Sequence, residues 1–85
     1  MKRTKIEIAA EIAALEKLKP VGRFARKTAQ TIAIQIDVLT NGVDDTCDEW
    51  NDLTEEQQMA ACDVQSWVDG DSETKPSADW GGLCG

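Results

Sequence analysis

Residues 32–39, Ile-Ala-Ile-Gln-Ile-Asp-Val-Leu, constrain the fold more than any other stretch of the chain. Ile32, Ile34, Ile36 and Val38 alternate with Ala33, Gln35 and Asp37, which is the period of a strand. The same segment continues a helical stripe of Ala25, Ala29, Ile32, Ile36 and Leu39. Nothing else in the chain offers a partner strand, and a lone strand leaves its amides and carbonyls unpaired. The segment is therefore predicted to be helical, inside a helix over 21–40. Phe24 borders its stripe and Asn41-Gly42 stops it, Gly42 being suited to a left-handed C′ position. A helix that is apolar on more than one side belongs at the centre of a bundle or on a self-association face. A chain of 85 residues buries only roughly 60–65% of its unfolded surface, so homodimerisation is one expected way to cover that face.

Two further helices flank the central one. Thr4-Lys5-Ile6-Glu7 fits a capping box, and Ile8, Ile12, Leu15 and Leu18 repeat at helical spacing behind it. Pro20 disfavours helical backbone at Lys19, so the first helix is expected over 5–18. Thr46-Cys47-Asp48-Glu49 and Thr54-Glu55-Glu56-Gln57 fit the same box. They predict a short turn at 46–51 and a helix over 55–69 that Gly70 ends. Leu53, Ala60, Ala61, Val64, Trp67 and Val68 form its inner face, with Met59 and Cys62 outside it. Residues 70–85 have a linker's composition apart from Trp80 and Leu83, which are expected to anchor the tail onto the helices. The expected architecture is all-α: a small three-helix bundle over 1–69 with an acidic, partly ordered tail over 70–85.

Composition excludes much chemistry. There is no His, hence no Ser-His-Asp or Cys-His catalysis. Cys47, Cys62 and Cys84 are odd in number and lack C-x-x-C spacing, which argues against zinc, and Cys62 reads as a small apolar filler. Asp44, Asp48 and Asp52 are spaced by four with no loop glycine between them, a helical face rather than a calcium loop. No metal, no cofactor and no enzymatic activity are expected. No apolar run approaches the roughly 18 residues of a membrane span, and Met1–Lys5 is not followed by the apolar run of a secretory leader. A cytoplasmic protein with reduced thiols is the expectation.

Charge carries the functional signal. Residues 1–27 hold eight bases and three acids, a net +5. Residues 28–85 hold thirteen acids and one base, a net −12, and no base occurs from Thr28 to Thr74. Asp44, Asp45, Asp48, Glu49, Asp52, Glu55 and Glu56 crowd around Trp50. Carboxylates steer a basic partner, and an aromatic side chain supplies contact energy that charge alone does not. These eight residues are the predicted partner-binding surface of a non-catalytic protein. In its sharpest form this is an inhibitor that imitates nucleic acid and occupies a host protein's site, as mobile elements use. A second reading places nucleic-acid binding on Arg23, Arg26, Lys27 and Gln30, spaced i, i+3, i+4, i+7 along the second helix. Net acidity opposes it. A third is a structural oligomer in which the basic segment of one copy meets the acidic segment of another.

Overall fold

The computed structural model describes residues 2–42 and 50–80. The described residues hold three α-helices, α1 (Lys5–Glu16), α2 (Ala25–Asn41) and α3 (Glu55–Asp69), with a 3-10 turn at Trp50–Asp52 before α3 and another at Pro76–Trp80 after it. No strand occurs among the described residues, so 32–39 is helical as its lack of a partner strand required.

Each boundary has a local cause. Thr4 Oγ1 accepts from the Glu7 amide at 3.2 Å and opens α1. The Glu7 carboxylate accepts from the Thr4 hydroxyl at 3.3 Å and pairs with Arg3 at 3.7 Å. α1 ends at Glu16, two residues before its expected end, with Lys17 as C-cap. α2 starts at Ala25 rather than 21, because Gly22 adopts φ +92° and breaks the helical run. Phe24, which has no capping group, occupies its N-cap. Thr54 and Gln57 complete a reciprocal capping box on α3, at 3.2 and 2.9 Å. Gly70 closes that helix in the left-handed region, which a residue without Cβ enters freely.

α2 packs against both other helices, as an apolar central helix should. Leu15, Ile32, Val38, Leu39, Ala61, Val64 and Trp67 form the buried core. Ile34 and Ile36 pack partly against it, so much of the two-sided apolarity of α2 is satisfied within the chain. The inward faces are nevertheless rotated from those expected. On α2 the buried positions are Thr28, Thr31, Ile32, Gln35, Val38 and Leu39, while Ala29 is exposed. On α1 Glu11 and Leu15 are buried, and Ile8, Ile12 and Leu18 only partly so.

The described part of the tail partners two of the four buried polar residues, Glu11 and Gln35. Its 3-10 turn lies against α1 and α3. The Ser77 amide donates to Glu11 Oε2 at 3.1 Å, and the Trp80 indole N–H donates to Gln35 Oε1 at 2.7 Å. Arg3 fastens the opposite end. Its amide donates to the Val68 carbonyl, its Nε to Trp67 O at 3.1 Å and its Nη2 to Ser72 O at 2.9 Å. Its guanidinium also lies 5.2 Å from the centre of the Trp67 ring. Leu83 lies outside the described residues.

Candidate functional site

Of the predicted partner-binding residues, Asp44, Asp45, Asp48 and Glu49 lie outside the described residues. The other four lie along two consecutive elements. Trp50 and Asp52 occupy the first 3-10 turn, and Glu55 and Glu56 the first turn of α3. Carboxylates there complement the positive end of the helix dipole. Asp52, Glu55 and Glu56 are exposed. Trp50 is half-buried against the core, and its carbonyl accepts from Gln58 Nε2 at 2.8 Å. Trp50 therefore both holds the turn in place and faces the surface.

Glu56 is not free. Lys27 Nζ approaches its Oε2 to 2.8 Å, joining the first turn of α3 to the first turn of α2. A base in the first turn opposes the dipole of α2, and the carboxylate offsets that repulsion. Both side chains are more than half exposed, so the pair contributes roughly 0–1 kcal/mol.

Beside this ion pair, residues of α2 and α3 line a hollow of about 500 Å³. Phe24, Thr28, Thr31 and Gln35 line it from the α2 side, Met59, Ala60 and Asp63 from α3, and Trp80 from the tail. A second hollow of about 350 Å³ adjoins it, sharing Met59 and Asp63 and adding Trp50, Glu55 and Gln58. Met59 thus stands between two depressions with its side chain largely in solvent. The acidic residues of α3 and the apolar hollows form one continuous surface, suited to a ligand that is cationic at its edge and apolar in its middle.

Arg23, Arg26, Lys27 and Gln30 are all exposed but do not make one helical face. Arg23 precedes α2, and Lys27 turns to Glu56, leaving Arg26 and Gln30 side by side. Cys62 is exposed, as its place outside the inner face of α3 implied and contrary to its reading as a small apolar filler; neighbouring Ala61 is buried, at 0% exposure. Cys47 and Cys84 lie outside the described residues. Among the described residues no cluster of His, Cys, Asp or Glu side chains has the arrangement of a metal site.

Sequence reasoning missed Phe24, Thr28, Thr31, Gln35, Met59 and Asp63 as parts of one surface. A signal existed in the spacing Thr28, Thr31/Ile32, Gln35, Val38/Leu39, which is a better seam than the alanine stripe once polar side chains are admitted. Comparisons with protein-family models, with curated proteins and with solved structures find no match, so the surface chemistry itself carries the functional reading.

Proposed function

We propose that this chain is a non-catalytic protein-binding module, built as a three-helix bundle closed by its tail, that uses its acidic surface to engage a basic partner in the cytoplasm. The carrying observation is the continuity of exposed Glu55, Glu56 and Asp63 with the two hollows around Met59. Charge speeds encounter and selects the partner's sign, while desolvated apolar contact holds it. The sharper form, imitation of nucleic acid by an inhibitor, rests on Asp44, Asp45, Asp48 and Glu49 together with the described carboxylates. Competition between the captured partner's nucleic acid and this chain tests it.

Affinity capture from host lysate with the wild-type chain names a partner by mass spectrometry. The combined Asp52→Lys, Glu55→Lys and Glu56→Lys chain is expected to lose that partner, and raised salt to release it from the wild type. Equal recovery by the reversed chain rejects the acidic surface. Retention of duplex or single-stranded nucleic acid in a gel shift at low salt would instead favour Arg23, Arg26, Lys27 and Gln30. Light scattering decides the homodimer: a single mass near 9.3 kDa at high micromolar concentration removes it.

A further inference from the structure

The hollow between α2 and α3 combines three properties that converge on one kind of occupant. Its rim is apolar and uncovered among the described residues, Phe24 and Met59 standing 64% and 61% exposed. Its lining includes Gln35, which is fully buried and whose Nε2 has no hydrogen-bond partner. The orientation of that amide is set by chemistry. An indole N–H only donates, so the atom facing Trp80 must be the oxygen, and both amide hydrogens are left over. Its charge is negative, since Glu56 and Asp63 outnumber Lys27 among the lining residues.

A buried amide donor without an acceptor weakens the folded chain, and an acceptor brought from outside would recover that loss. The volume of about 500 Å³ falls within the roughly 300–1,000 Å³ of hollows that enclose an organic group. Gln35 Nε2 is sealed from water, so a lining side chain must move for an acceptor to reach it. Met59, unbranched and exposed, is a flexible member of that lining. We infer that this hollow receives one large apolar side chain from a basic segment of the partner protein, whose adjoining main-chain carbonyl accepts from Gln35 Nε2. The inference rests on the acidic-surface reading and supplies the chemistry of the bound segment: bases on the rim carboxylates, an aromatic or long aliphatic residue between them.

The test uses the isotope-labelled full chain and two synthetic peptides, Ac-Lys-Arg-Phe-Arg-Lys-NH2 and its Ala counterpart, titrated at low ionic strength. The Phe peptide is expected to bind about tenfold more tightly. It should also move the Gln35 side-chain amide and Trp80 indole resonances. Phe24→Ala and Met59→Ala alter exposed side chains; each should lower the affinity for the Phe peptide to that of the Ala peptide. Persistence of the Trp80 indole resonance reports that each variant is folded. Equal affinities, with shifts confined to Glu55, Glu56 and Asp63, overturn the anchor and leave the acidic surface standing. A tenfold difference that survives both substitutions overturns the location. Failure of both peptides to bind overturns the anchor and the acidic surface together.

Discussion

Gln35 is buried because Trp80 gives its oxygen a donor, and Trp80 is oriented because Gln35 gives its N–H an acceptor. Neither side chain is satisfied without the other in that place. Trp80→Phe should therefore cost about 1–3 kcal/mol, the penalty of a second unpaired atom on a buried amide plus a smaller ring. Gln35→Met removes both polar ends at similar volume, and in that background Trp80→Phe should cost less than about 1 kcal/mol. Urea denaturation of the four chains measures the coupling, and strict additivity would show the contact to be energetically idle. Glu56 behaves differently. Its pair with Lys27 is solvated, so Glu56→Gln should change stability by less than about 1 kcal/mol while still weakening attraction for a cationic peptide. A stability loss above that bound would make Glu56 a structural residue rather than a surface one. The residues named for the site divide the same way: exposed Asp52, Glu55 and Glu56 were legible in composition, whereas Gln35 was not, because an amide in a sequence carries no sign of being buried.

The helices owe their ends to groups close in sequence, and this is why most boundaries were readable. Thr54 and Gln57 satisfy amides at the N-terminus of α3 from within one turn. Thr54→Ala should cost about 1 kcal/mol, seen as a lower urea midpoint at unchanged slope. Gly70 holds φ +87°, where a Cβ is strained, and Gly70→Ala should cost about 1–2 kcal/mol by the same measurement. An unaltered midpoint in either case would mean that packing alone sets where α3 begins or ends. α2 shows the limit of such reasoning. No Ser, Thr, Asp or Asn stands between Pro20 and Phe24, so its start had no cap to read. The turn at Gly22 decided it instead.

The chain closes on itself through contacts between its two ends. Arg3 reaches Trp67 and Ser72, 64 and 69 residues away, and Glu11 reaches Ser77 across 66. Deleting residues 71–85 removes Ser72 from Arg3, Ser77 from Glu11 and Trp80 from Gln35 at once. It should lower stability by about 3 kcal/mol or more, a large part of the roughly 5–15 kcal/mol of a natural domain. Denaturation followed by Trp67 fluorescence checks this, and a truncated chain as stable as the whole would reduce the tail to an appendage. The charge division also acts across the whole chain. Among the described residues a single ion pair, Lys27–Glu56, links the basic segment to the acidic one, so most of the described surface charge stays available to a partner. By itself the sequence determined the helical class, the caps, the breakers and the sign of the surface, because these depend on side-chain chemistry and on neighbours a turn away. Tertiary structure alone decided which face of α1 and α2 turned inward and that α2 and α3 leave a hollow over Gln35. Burial of Glu11 and Gln35 is tolerable only where Ser77 and Trp80, 66 and 45 residues distant, arrive to bond them.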